Sequence, residues 1–442
     1  MKNQDNTATL APGVRPREVF GWAMYDFANS GYTTVVITAV FNAYFVAHIA
    51  GNADWATLAW TLSLSVSYAA IMIAGPLVGA HIDLHASKKK WLAATTLGCI
   101  AGTALLATAN PNTLALAVLF IVLSNFFFGL GENIVAAFLP ELASEQGIGK
   151  VSAFGWSLGY IGGLITLGAC LAYVTWAQAQ GQQAPQFVPV TMLITAAIFA
   201  LASLPTFLLV RDRAMPQPAR QAYSGALQRV LSTLRHASRY RDLARFLVCI
   251  VVYQSGVQAV IALAAIYAQQ AMGFTMAQTL LLVLVVNVTA SAGAFLFGYI
   301  QDRLGHVRTL VGTLIGWCLV VIVAYSSTGA AGFWVAANLA GIFLGASQSA
   351  GRALVGYLSP ALHRAEFFGL WGLAVKLASI LGPLTYGMVT WLSAGDHRLA
   401  MLITGAFFVG GLALLWGVDA ARGRQSAQQE DQKGRVLSTD RP

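Results

Sequence analysis

Charge is what this chain has least of. Only 10% of its 442 residues are charged and 57% are hydrophobic, with a mean hydropathy of +0.66, whereas soluble domains carry roughly a quarter charged residues. That scarcity excludes a soluble globule and leaves burial in a bilayer. Cysteine is nearly absent too. Cys99, Cys170, Cys249 and Cys318 are far apart and lack any CxxC spacing, which excludes a disulfide framework or zinc site and leaves small apolar packing residues. No GxxxxGK[ST] loop occurs, so ATP hydrolysis within this chain is not expected to drive it. His48, His81, His85, His236, His306, His363 and His397 fall at span ends or in loops. They form no HExxH, no intramembrane HxxxH and no paired haem ligands, and no GxSxG elbow is present. Neither an enzyme nor a cofactor is expected. Met1 to Arg17 is polar and contains proline, and the apolar run after it is too long for a signal-peptide core, so the first helix is expected to direct insertion.

What fills the chain instead is a series of twelve apolar runs, near 20–48, 57–80, 91–109, 114–139, 151–175, 187–210, 243–269, 275–299, 309–328, 333–358, 367–393 and 398–418. Each has about the 20 residues that a spanning helix needs. Basic residues gather in alternate connections: Lys88 to Lys90, Lys150, the eight arginines from Arg211 to Arg245, Arg303, Arg308, Arg364 and the terminal ones. The opposite connections hold only Arg398. The positive-inside rule then puts both termini in the cytoplasm of a multi-pass plasma or inner membrane protein. The net charge of +9 reads as topology and lipid headgroups, with no reason to invoke nucleic acid.

The expected organisation is an N-terminal tail over 1–18, a six-helix half over 19–210, a linker over 211–241, a second half over 242–420, and a disordered tail over 421–442. Within the linker, Leu227, Val230, Leu231 and Leu234 recur at helical spacing among arginines, which suits an interfacial amphipathic helix. A repeat supports the division. Gly79-Ala80-His81-Ile82-Asp83 follows the second span and Gly298-Tyr299-Ile300-Gln301-Asp302-Arg303-Leu304-Gly305 follows the eighth.

Twelve spans, a basic central loop and a GxxxDRxGxxR-like loop after spans two and eight resemble the major facilitator superfamily. The first copy departs from the pattern at Leu84 and Ser87. The resemblance implies an all-α membrane fold of two six-helix halves, with Asp83, Asp302 and Arg303 favouring one conformation of a transporter. A narrower likeness lies in Gly21-Trp22-Ala23-Met24-Tyr25-Asp26-Phe27-Ala28-Asn29-Ser30, which is similar to the first-helix signature of the vacuole-effluxer-like family, autophagy-related vacuolar amino-acid effluxers. Phe138-Leu139-Pro140, Ser152 to Gly163, Glu366-Phe367-Phe368-Gly369, and Lys376 with Gly382-Pro383 resemble that family's other blocks. Ala136, where relatives often have Asn, and Gly351, where Ser is usual, depart from it.

Ionisable groups at bilayer depth cost about 2.5–3.5 kcal/mol each even on the lenient insertion scale, so each calls for a partner, water or a function. Asp26 is on span one, Glu132 on span four, Arg352 on span ten and Lys376 on span eleven, while spans three, six, nine and twelve carry no charge between their ends. In the fold this resembles, spans one, four, seven and ten surround a cavity and the charge-free four face lipid. Polar stripes run along the first set: Asp26, Asn29 and Thr33; Asn125, Gly129, Glu132, Asn133 and Ala136; Gln254 and Gln258; Asn338, Gly345, Ser349 and Arg352. Asn29, Gln254, Gln258, Arg352 and Lys376 are therefore the candidate substrate-binding residues, with Lys376, nearest mid-membrane, facing an anionic group. Asp26 and Glu132 are the candidate proton-coupling groups, since carboxyls are what proton relays in membranes use. Alternatively, one of them pairs with Arg352 or Lys376 only to hold the halves together. Gly155 and Gly159, Gly312 and Gly316, and Gly341 and Gly345 read as close helix contacts, and Gly382-Pro383 as a hinge.

The expected function is a monomeric secondary transporter working by alternating access. Its substrate would be a small polar or zwitterionic, amino-acid-like solute, exported and coupled to protons. A proton-coupled importer of sugars or cell-wall fragments, and a non-transporting membrane sensor or assembly subunit, are the rival readings.

Overall fold

The computed structural model describes residues 10–144, 148–213, 240–360 and 364–439. The amphipathic segment expected around Leu227 to Leu234 lies outside them. Among the described residues, twelve helices are long and apolar enough to cross a membrane. Spans one to six are Pro16–Ile49, Ala56–Gly79, Lys88–Thr108, Pro111–Leu142, Phe154–Ala179 and Ala184–Leu209. Spans seven to twelve are Arg241–Gln270, Met276–Phe297, His306–Ser326, Ala330–Leu358, Phe367–Leu392 and His397–Leu415. Apart from one isolated bridge, Leu10 to Ala143, the described residues contain no β pairing. A chain whose backbone must satisfy itself inside lipid has this option or a closed barrel, and the runs are too long and uniformly apolar for barrel strands.

Two compact units form. The first holds spans one to six together with 264–269 and 274–284. The second holds the rest of spans seven and eight, spans nine to twelve and the residues beyond. Within the first, span three packs on spans four and six; within the second, span nine packs on spans ten and twelve. The repeat read from the loops thus extends to helix neighbours. It extends to backbone conformation as well. Gly305 ends the helix Met276–Leu304 at φ +83, and the residue at the corresponding place in the first copy, Ala86, ends Ala56–His85 at φ +48. Glycine adopts this left-handed turn freely, whereas alanine holds it under strain.

Two features depart from expectation. Span one is not a regular helix: π-helical turns occupy Thr33–Ala39 and Phe45–Ile49. The wider turn leaves backbone groups to be met by side chains, and Asn42, wholly buried, donates Nδ2 to the Thr38 carbonyl at 2.9 Å. The tail expected to be disordered from 421 is instead a helix over Ala420–Thr439. It has no apolar run to announce it, but its small residues Gly423 and Ala427 are buried, and a Cβ at Gly423 would stand 2.5 Å from Leu358 of span ten.

Candidate functional site

In the first unit the family-like blocks become two sides of one contact. Trp22 Nε1 donates to the Val135 carbonyl of span four at 2.8 Å, and the Tyr25 hydroxyl meets Thr96 Oγ1 of span three at 2.9 Å. Tyr32 reaches Ser124 Oγ of span four at 2.9 Å and stacks on Phe128 at 4.8 Å. These aromatics fix the rotation of span one, and span five closes on another side of it. A Cβ at Gly155 would collide with Asp26 Oδ2, one at Gly159 would lie 3.3 Å from the Asp26 carbonyl, and one at Gly162 would overlap the backbone of Phe27. The glycines of Ser152 to Gly163 are thus what admit span one, with the Asp26 carboxylate against the backbone of span five.

Asp26 is half-buried and within electrostatic reach of Glu132 on span four. Glu132 itself is exposed at its place on span four. Asn29, one turn along from Asp26, is buried, and its Oδ1 has no donor among the described residues; the same holds for Asn125 Oδ1, whose amide nitrogen donates to Ser67 Oγ at 3.0 Å. Gly129, expected in the polar stripe, is taken up by packing, since a Cβ there would overlap Ile71.

The second unit assembles a different set. Gln254 is 1% exposed and donates Nε2 to Gln348 Oε1 at 3.0 Å. Gln348 lies one helical turn before Arg352 on span ten, and the Arg352 guanidinium stacks over Trp371 of span eleven at 5.1 Å. Gln254 Oε1 and Trp371 Nε1 are buried, one acceptor and one donor, without partners among the described residues. Spans seven, ten and eleven thereby present amide, guanidinium and indole groups in one cluster, the group types that recognise carboxylates and amines. Gln258 and Lys376, both half-buried, stand on spans seven and eleven. Gly351 has a local reason to differ from serine: a Cβ there would overlap the Tyr253 hydroxyl.

Gln348 and Trp371 were not singled out by sequence. An i, i+4 polar pair with Arg352 was the available signal for the first; nothing marked the second. Other candidates are placed elsewhere. A Cβ at Gly345 would overlap Ala290 of span eight, so Gly345 packs rather than lines. Gly312, expected in a close contact, faces open space, while a Cβ at its partner Gly316 would overlap Phe343. Gly382 lies so near span seven that a Cβ would overlap the Ser255 carbonyl, and Pro383 is buried inside the unbroken helix Arg364–Leu392. Asp83, Asp302 and Arg303 stand in the last turns of their helices, with Arg303 exposed. Next to the first of these loops Lys88 pairs with Glu141, donates to the Ala137 carbonyl at 3.2 Å and lies over Phe138 at 5.6 Å. The departing copy of the loop motif is thereby tied to the Phe138-Leu139-Pro140 block.

Comparison with known proteins agrees with this architecture. The profile described as "Vacuole effluxer Atg22 like" matches residues 15–428. The MFS-type transporter YxiO of Bacillus subtilis is 28% identical over 424 residues, which cover 93% of this chain and 96% of the relative. Autophagy-related protein 22-1 of Aspergillus fumigatus is 25% identical over 68% of this chain, and the match spans 53% of that longer protein. Among solved structures, a bacterial homologue of the human lysosomal transporter Spinster, inward-facing, superposes with a TM-score of 0.72 at 14% identity, covering 94% of this chain and 99% of its own. A D-xylose–proton symporter superposes with a TM-score of 0.70 at 14% identity, covering 92% and 99%. The fold is the major-facilitator fold.

Proposed function

The chain belongs to the vacuole effluxer Atg22-like family of MFS-type transporters, and from that premise we propose that it exports a small zwitterionic, amino-acid-like solute by alternating access, driven by protons. The observation that carries the coupling is the pair of carboxylates in the first unit. Asp26 lies against a glycine-paved face of span five, within electrostatic reach of Glu132 on span four, and carboxyls at bilayer depth are the groups that proton relays in membranes use. One proton entering or leaving that pair changes which arrangement of spans one, four and five is favoured, which is what coupling requires.

The Gln254, Gln348, Arg352 and Trp371 cluster supports the solute class. A carboxylate suits the Arg352 guanidinium and the Trp371 N–H, and an ammonium suits the Gln254 carbonyl oxygen. Gln258 and Lys376, on the same spans as Gln254 and Trp371, are proposed to extend that binding surface, and Asn29 is proposed as a polar contact within the first unit. The basic residues at one end of the spans support a cytoplasmic location for both termini. The test is counterflow in liposomes containing the purified protein, loaded in turn with amino acids, short peptides and sugars. Exchange of an amino acid, stimulated by a pH gradient, is expected. Exchange of sugars alone would replace the solute class, and exchange of none would favour a sensor role.

A further inference from the structure

Two buried carboxylates have no part in the site above. Glu18 lies in the first turn of span one and Asp242 in the first turn of span seven, so each stands at the opening of its half's first span. Each side chain is only 3% exposed, and a carboxylate so placed needs a cation and hydrogen bonds. Glu18 receives Arg213, from the segment after span six. Nη2 donates to Oε1 at 3.0 Å and stands 2.9 Å from Oε2, and the Arg15 amide adds a bond at 3.2 Å. Asp242 receives Arg422, from the helix after span twelve. Nε and Nη2 donate to Oδ2 and Oδ1 at 2.7 and 2.6 Å as a fork, and the Asp419 amide adds a bond at 2.9 Å. The Asp242 carboxylate in turn holds the Arg422 guanidinium above its ordinary value.

The helices beneath each pair are also drawn together. In the first unit a Cβ at Gly21 would stand 2.8 Å from the Pro205 carbonyl, and Thr206 Oγ1 donates to the Gly21 carbonyl at 2.7 Å. In the second, a Cβ at Gly411 would stand 2.7 Å from Tyr253 Cβ, Cys249 Sγ donates to the Gly411 carbonyl at 3.3 Å, and Arg245 Nη1 donates to the Gly417 carbonyl at 3.0 Å. The two arrangements share no residue pattern. One uses Glu and an arginine outside any helix, the other Asp and an arginine on a helix, yet both tie the start of a half's first span to the segment beyond its sixth.

We propose that these ion pairs are equivalent clasps, one in each half, that stay shut throughout the transport cycle and make the first and sixth spans of a half move together at that end. The proposal rests on the alternating-access reading. It also places the roots of both tethers, the connection between the halves and the C-terminal helix, on the clasps, through Arg213 and Arg422.

Two measurements test it. The charge swap Glu18→Arg with Arg213→Glu, and its counterpart Asp242→Arg with Arg422→Asp, need no transport assay. Each single reversal should lower the yield of folded, monodisperse protein about tenfold, because it sets like charges together where the acidic side chain is buried, and each swap should restore it to within about twofold. Swaps no better than the singles would overturn the pairing. Second, Cys pairs at 18 and 213, or at 242 and 422, are bridged with a short bis-methanethiosulfonate in a background free of native cysteine. Bridging should approach completion in membranes without substrate, and the bridged protein should exchange solute within about twofold of the reduced protein. A bridge that forms in only part of the population, or that stops exchange until reduced, would show that the clasps open. Failure of exchange in the wild type would instead count against the transport reading, while swap yield and bridging extent still judge the clasps.

Discussion

Replacing Gly162 with alanine sets a methyl group against a backbone that cannot swing aside. The new Cβ would stand 2.6 Å from Phe27 Cα and 2.7 Å from Phe27 C, where unstrained carbon contacts lie at about 3.5–4.0 Å. Spans one and five must therefore part by about 1 Å, and overpacking of that kind costs about 1–3 kcal/mol. In a body of about two hundred residues each kcal/mol moves the melting temperature by about 2–4 °C, so a fall of about 2–12 °C is expected. Gly168 supplies the control within the same helix. A Cβ there meets nothing within 4 Å, and Gly→Ala in an open helical position gains about 0.5–1 kcal/mol. Thermal unfolding of the purified variants, followed by tryptophan fluorescence, should give shifts of opposite sign. Equal melting temperatures would refute the account of span five as a glycine face built to admit span one. Transport should fall more than stability in Gly162→Ala, since the displaced residue, Phe27, adjoins Asp26.

If Asp26 couples protons, Asp26→Asn should keep exchange between equal pools and lose uphill movement driven by a pH gradient; if it is one arm of a structural pair, both activities and yield should fall together and recover when Arg352 or Lys376 is neutralised too. Ala86→Gly should stabilise the protein by about 1 kcal/mol by releasing a left-handed alanine, and an unchanged or lower melting temperature would remove that strain from the account. The hinge reading is tested with Pro383→Ala alone, because Gly382→Ala would overlap Ser255; a wild-type rate with folding intact leaves Pro383 a packing residue. Cysteines introduced at Asn112 and Gly181 should label from outside intact cells, and those at Ser224 and Gly434 only after permeabilisation, with outside labelling at Ser224 reversing the orientation.

The spans were legible because a bilayer imposes one crude requirement, length of apolar run, that needs no knowledge of partners. The span seven expected over 243–269 is Arg241–Gln270, and others agree within a few residues. Partners are another matter. Gly155, Gly312 and Gly345 look alike in sequence, yet one touches a carboxylate, one faces open space and one meets span eight, because what a glycine admits is decided by a helix elsewhere in the chain. The π turns of span one were hidden because hydropathy has no sensitivity to hydrogen-bond register. Asp26, Glu132 and Arg352 could be picked out because charge in an apolar run is conspicuous, whereas Trp371 meets Arg352 through a ring that composition counts as apolar.

Span lengths are unequal, and the bilayer will register the inequality. Spans three and nine have 21 residues and span twelve has 19, which at about 1.5 Å per residue is close to the 30 Å of a typical hydrocarbon core. Span one has 34 residues, well beyond the roughly 20 that a spanning helix needs, and must tilt or project beyond the acyl chains. Hydrophobic mismatch therefore falls on the short spans. Thickening the membrane with longer acyl chains stretches the requirement on spans three, nine and twelve while leaving span one ample reserve. Lipid chain length becomes a lever on this protein that acts through its shortest helices.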